Sequence, residues 1–206
     1  MKKHALSLLA AFAVAIPGAA FAADYTIDAS HSSADFAVRH LMVSKVRGTF
    51  NKLAGTVSYD PKNPEKIVIE ATIDAASIDT REPKRDEHLR SADFFDVEKH
   101  PTITFKSKKA KARGKGKLDV TGDLTIRGVT KEVVLSVEGL DQEVKDPWGN
   151  VRRGAQATAE INRKDFGLTW NQALEAGGVM VGDKVEISID VELIRQAAKE
   201  GETASK

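Results

Sequence analysis

No cysteine occurs among the 206 residues. A disulfide cannot brace the fold, a thiolate nucleophile or metal ligand is ruled out, and so is a lipoprotein anchor. Signatures of common chemistries are missing too: there is no Gly-x-Ser-x-Gly elbow, no His-Glu-x-x-His and no phosphate loop. Gly114-Lys-Gly116 lies between alternating apolar segments rather than ahead of a helix, so it is no dinucleotide fingerprint. Neither sign of charge dominates, since 31 Lys and Arg meet 30 Asp and Glu. That balance exerts no global pull toward nucleic acid. Beyond residue 22 no apolar run approaches a membrane-spanning length. The absences assign no catalytic residue, no metal and no cofactor, and they leave the core to hold the fold unaided.

What is present begins with a leader. Lys2 and Lys3 precede the apolar run Ala5 to Ile16, Pro17-Gly18 ends it, and Ala20-Phe21-Ala22 has the small-x-small form of a cleavage site. Residues 1–22 therefore read as a signal peptide cut after Ala22, too short to span a bilayer of about 30 Å. The expectation is a periplasmic protein with one domain over residues 23–196 and a polar tail at 197–206.

Within that domain, period-two alternation dominates. Val185, Ile187, Ile189, Val191 and Leu193 alternate with polar residues, as do Ala34-Phe36-Val38, Ile67-Ile69-Ala71-Ile73, Ile103-Phe105, Leu118-Val120-Leu124-Ile126 and Val133-Leu135-Val137. From Arg153 to Ile161 the inward face carries Ala155, Ala157 and Ala159. Segment 46–58 is punctuated by Gly48 and Gly55, which suit a bend or a close approach. Asp60-Pro61, Arg113 to Gly116, Arg127-Gly128 and Asp146 to Asn150 are short turns favouring antiparallel neighbours. Pro83 to Ser91 reads as one short helix, started near Asp79 or Thr80 and contacting the core through Leu89. The pattern is all-β, with about eight strands and a single helical insert.

Closure into a barrel buries the apolar face and removes the sheet edges. An eight-stranded interior is either packed solid or wide enough for one ligand. Many inward residues are alanine (Ala34, Ala71, Ala75, Ala155, Ala157, Ala159), which favours a hollow interior suited to an extended chain. The alternative is a solid sandwich in which alanines face large residues.

Several strings resemble the YceI family: Asp28 to Ser32, Phe36 to His40, Thr80 to Leu89, Asp93 to Asp96, Pro101 to Phe105, Gly122 to Thr130, Asp146 to Gly149 and Ile161 to Asn171. They follow in the family's order through the whole mature chain. The resemblance implies an eight-stranded antiparallel lipocalin-like barrel with a helix near one end. Inside it would lie an isoprenoid lipid, such as a prenyl quinone or polyprenyl phosphate. Glu132 and Ala155 depart from the family's usual proline and aromatic, and Ala155 bears on cavity shape.

On this reading the lipid chain touches Phe36, Val38, Phe50, Ile69, Ile73, Phe105, Leu124 and Trp170, and no bond is made. Its polar head meets His40 and the insert residues Arg85, Asp86 and His88, where Arg85 offers a planar fork. The same three insert residues could instead pair with neighbours and fix the helix. His31, His40, His88 and His100 lack zinc-site spacing, so structural roles are the default. Trp170 lines the cavity or covers its rim, and Trp148 clamps its own turn against the barrel. The basic stretch Lys106 to Lys117 could touch an anionic membrane or simply be a solvated edge. A homodimer is compatible with an exposed edge but not required. The rivals to a carrier are an enzyme acting on a held hydrophobic substrate and a structural, stress-associated protein with a filled core.

Overall fold

The computed structural model describes residues 22–175 and 177–197, so the signal-peptide expectation and nearly all of the tail lie outside the described residues. Among the described residues, spatial order follows chain order. β1 (Ala23–Ile27) and β2 (Ser33–His40) form one bent stave of the barrel, β3 (Ser44–Phe50) and β4 (Leu53–Tyr59) the second, and β5 (Val68–Asp74) and β6 (Ile78–Asp79) the third. The next three staves are β7 (Thr102–Gly114), β8 (Lys117–Ile126) and β9 (Val129–Glu138), followed by the short strand β10 (Glu143–Lys145). The last two are β11 (Val151–Asn162) and β12 (Val181–Arg195). Each stave pairs antiparallel with the next, and β12 returns to pair with both β1 and β2. The result is the closed eight-stranded barrel, with β10 as an extra edge on β11.

Three adjacent staves are broken side by side, since Ala34 pairs with Phe50 and Phe50 with Ile78. Aspartate side chains satisfy the backbone freed at two of these breaks. Asp28 accepts from the Ser30 amide at 3.0 Å, and Asp74 accepts from the Ala76 amide at 3.0 Å. The bend expected at residues 46–58 falls at Asn51-Lys52, leaving Gly48 in regular register. Gly48 serves close approach instead: a Cβ there would come within 2.5 Å of Phe36 Cζ. Gly122 does the same beneath Phe105, where the gap would also be 2.5 Å. Both rings therefore lie down on the wall over a glycine on a neighbouring strand instead of standing toward the barrel axis.

The helix α1 (Pro83–Arg90) starts on Pro83, whose missing amide costs nothing at that position. Its cap is Glu82, not Asp79 or Thr80. Thr80 is used differently: Asp86 Oδ1 accepts from its amide at 2.8 Å and from its hydroxyl at 2.5 Å, which ties α1 to β6.

An ion-pair hub crosses from the first bend to the last two staves. Arg152 donates to Asp28 at 2.7 Å, Asp146 at 2.7 Å and Glu192 at 2.6 Å. Asp28 is held well below the usual carboxylate range, first by Arg152 and then by His31. Burial raises the Asp146 carboxyl, but hydrogen bonds from Arg152, Asn150 and Trp148 outweigh it and hold the group at about 2. Folded values below the unfolded value of about 3.9 give a stabilisation that is present above about pH 4 and lost as pH falls toward 2. Arg152→Ala should therefore move acid unfolding, followed by near-ultraviolet circular dichroism, to higher pH. An unchanged acid midpoint would show that the hub carries none of the acid resistance.

Candidate functional site

The barrel encloses an apolar cavity of about 220 Å³. Alternation alone aims β12 at it, for Val185, Ile187, Ile189, Val191 and Leu193 all line the wall. Opposite stand Ile69, Ala71 and Ile73 of β5 with Ile103 and Phe105 of β7. The wall of β11 is recessed because Ala155 and Ala157 carry only a methyl group. The expected hollow interior is thus present. Its lining is apolar except at Asp35, Thr104 and Arg163. Apolar side chains bordering space that protein atoms do not fill forgo dispersion contacts, which an apolar guest supplies.

The inward face of β11 continues past its alanines to an arginine at either end. Arg153 is 6% and Arg163 4% exposed. Ten residues of extended chain separate them by roughly 33 Å along the stave, or about 25 Å along the barrel axis once the usual strand tilt is allowed for. Arg153 closes one end. It donates to Tyr25 Oη at 2.8 Å, Leu140 O at 2.6 Å and Glu143 at 2.8 Å, and it lies over the Tyr25 and Tyr59 rings. Leu193, Leu140 and Ile67 pack there at 0, 2 and 4% exposure.

Arg163 borders the cavity at the other end. It donates to the carbonyls of Leu168, Trp170 and Gly182, which gathers the loop between β11 and β12 around one cation. Burial pushes its pKa down, with Asp183 opposing, yet a guanidinium stays charged. Val38, Val181 and Val185 line the cavity near this end and remain half exposed. This is the open end.

The structure separates the sequence candidates into two groups. Phe36, Val38, Phe50, Ile69, Ile73, Phe105 and Leu124 border the cavity. Trp170 does not. Its ring packs on His88 at 4.9 Å and on Phe94 at 5.3 Å, and Phe94 is the member of this trio that reaches the cavity. Trp170 therefore covers the rim. His40, Arg85, Asp86 and His88 are also absent from the lining. Arg85 spends its fork on the hydroxyl and carbonyl of Thr80, and His88 bonds Asp93 at 3.0 Å. The insert contributes Leu89, Phe94 and Phe95 to the wall instead.

One further expectation is corrected. Trp148 does not clamp its turn, being 82% exposed. Asp146 already holds that turn by accepting from the Trp148 amide and from Asn150, so the indole is free to project. The Lys106 to Lys117 stretch is matched by acids. Lys106 pairs with Glu70, Lys108 with Asp123 and Glu132, Arg113 with Asp119 and Lys117 with Glu138, which cancels most of its field. Asp28, His31 and Glu192 bring ligand-type atoms within 4.8 Å of one another, but Arg152 already spans the two carboxylates.

The two buried arginines are the residues that sequence reasoning passed over. Their signal was parity: Arg153 and Arg163 share the inward face with Ala155, Ala157 and Ala159. A charged residue in that phase must be buried with partners.

The fold and cavity define a closed up-and-down barrel built around an apolar chamber. The chain belongs to the YceI family, whose YceI-like domain matches residues 25–193. It is 41% identical over 198 residues to a UPF0312 protein of Ectopseudomonas mendocina, which covers 95% of this chain and all of that one. Among solved structures it resembles BcnA of Burkholderia cenocepacia, with a TM-score of 0.69 and 23% identity over 81% of this chain and 98% of that one. It also resembles a polyisoprenoid-binding domain from Saccharophagus degradans, with a TM-score of 0.62 and 19% identity over 84% of this chain and 98% of that one.

Proposed function

We propose that the protein binds a long-chain isoprenoid lipid, of prenyl quinone or polyprenyl phosphate type, inside the barrel and sequesters or carries it without making or breaking a bond. One observation carries this reading: the barrel encloses an apolar cavity of about 220 Å³, lined almost wholly by aliphatic and aromatic side chains and bordered by the buried Arg163. Each buried methylene contributes about 0.8 kcal/mol, so a linear apolar guest gains along its whole length. The polar head stays at the open end, because burying an unpaired phosphate or phenol is costly. Arg163 is the cation bordering the cavity there. Asp86 accepts from Thr80, His88 bonds Asp93, and both lie off the cavity lining, which favours holding over catalysis. The Saccharophagus degradans neighbour, a polyisoprenoid-binding domain of the same fold, supports the same ligand class. The proposed place of work is the periplasm, reached through the leader at residues 1–22.

Native mass spectrometry of gently purified protein tests the proposal. A co-purifying hydrophobic mass that fragments as an isoprenoid is the expected result. A clean apoprotein that also takes up no prenyl quinone or polyprenyl phosphate overturns it.

A further inference from the structure

The hairpin joining β2 to β3 has a composition at odds with its conformation. Val43 N donates to His40 O at 3.1 Å, and the two residues between them, Leu41 and Met42, have φ of 49° and 61°. Left-handed backbone at both central positions is the signature of a type I′ turn, which Asn-Gly fills without steric cost. Leucine and methionine fill it poorly, and strained non-glycine positions cluster where a function keeps them. Their side chains return nothing to the core. Leu41 is 37%, Met42 55% and Val43 79% exposed, the one run of three consecutive exposed large hydrophobic residues among the described residues.

This tip stands at the open end of the cavity. Val38, two residues before His40 on the inward face, lines the chamber and pairs with Val46 and Val185. The Leu41 amide bonds Met180 O at 2.8 Å, joining the hairpin to the β11–β12 loop gathered by Arg163. The chamber wall at Val38 and Val181 thus lies within a few residues of the apolar tip. Basic residues sit just behind it: Arg39, Lys45 and Arg47 lie around a shared acid, Glu186, which Lys45 bonds at 2.7 Å. Projecting apolar side chains backed by excess positive charge match the boundary between acyl chains and anionic headgroups. The acid-matched Lys106 to Lys117 stretch runs away from this end, and Lys117 pairs with Glu138 next to the Leu140 carbonyl that Arg153 binds.

We infer that Leu41, Met42 and Val43 form a bilayer-docking loop, which dips into an anionic membrane surface and sets the open end of the cavity against the acyl layer. The inference rests on the carrier reading for its purpose, because a guest of very low solubility in water has to pass between bilayer and barrel without crossing open solvent. The loop positions that passage, and the cavity holds the guest once it is inside.

The triple variant Leu41→Asn, Met42→Gly, Val43→Ser provides the test, since it removes the apolar tip and also relieves the turn. Full-length mature protein is sedimented with vesicles of phosphatidylethanolamine and phosphatidylglycerol. The variant should bind them at least about tenfold more weakly while melting no lower than the parent. Trp148→Ser, at the opposite end, should leave vesicle binding unchanged. Parent binding should also fall when phosphatidylcholine replaces the anionic lipid. Equal sedimentation of parent and triple variant overturns the inference, as does loss of binding in Trp148→Ser alone. A parent that ignores vesicles but self-associates or captures a protein through this tip also overturns it. Loading from detergent-solubilised prenyl quinone, read by native mass spectrometry, is measured in parallel. Retained loading with unaltered vesicle binding in the triple variant sinks the docking loop alone, whereas absent loading in the parent sinks the carrier reading.

Discussion

Ala157→Phe should abolish most lipid binding while leaving the barrel intact or more stable. Ala157 sits midway along the recessed β11 wall, between Ala155 and Ala159 and opposite Ile189 of β12. A phenyl ring there projects into space that no protein atom now fills. It displaces roughly four methylenes of a threaded chain, worth about 3 kcal/mol at about 0.8 kcal/mol each. That corresponds to about a hundredfold weaker binding. The ring itself gains burial of about 1 kcal/mol, which raises Tm by about 3 °C for a domain of this size. Calorimetric titration with a prenyl quinone in detergent, alongside thermal unfolding, reads both effects. Lower Tm together with weaker binding would mean that the wall is already packed at this level, and the hollow-barrel account would fail.

The second large effect concerns the closed end. Arg153→Met keeps an unbranched stem but removes the guanidinium that donates to Tyr25 Oη, Leu140 O and Glu143. Removing one partner of a buried ion pair costs about 3–5 kcal/mol. Arg195, 3.1 Å from Glu143, retains a share of that carboxylate's pairing, so the lower part of the range applies. Tm should fall by about 10 °C. A drop of only a degree or two would mean that Leu193, Leu140 and the two tyrosines seal this end by packing alone. Lipid loading distinguishes a plug from a mere brace, because a leaking end shortens the time a bound lipid is retained.

Much of the wall was legible as sequence, because a strand obliges alternate side chains to share a face. The alternating run Val185, Ile187, Ile189, Val191 and Leu193 of β12 needed no partner information to be assigned inward, and all five border the cavity. The helix was legible from Pro83, but its cap was not. Thr80 has the chemistry of a cap, yet Asp86 competes for its amide and hydroxyl across a turn whose path cannot be read locally. The same competition accounts for Arg85 and His88. Charged residues in an insert suggest a headgroup site until their nearest partners are known, and here those partners are Thr80 and Asp93. The exposed indole of Trp148 reversed a sound prior, since a large aromatic in a turn is ordinarily used for packing. The Asp146 carboxylate had already done that work.

The breaks at Asp28 to Ser32 and Ala75 to Ser77 were harder to foresee, because short aspartate-capped 3-10 turns interrupt the staves without glycine or proline. Their aspartate followed by serine is the local trace they leave, and it is common in ordinary loops.

Taken alone, the order of residues determined which side chains point inward, how small those on β11 are, and that neither cysteine nor a familiar catalytic motif is available. Those properties are local and follow from the two-residue period of a strand. Only the tertiary structure decided that the interior stays hollow. Free volume depends on which side chains meet: alanines beside the isoleucines of the adjoining stave, and phenylalanine rings laid flat where a neighbouring strand supplies Gly48 or Gly122. Register between staves sets those juxtapositions, and register is a property of the closed sheet rather than of any one strand.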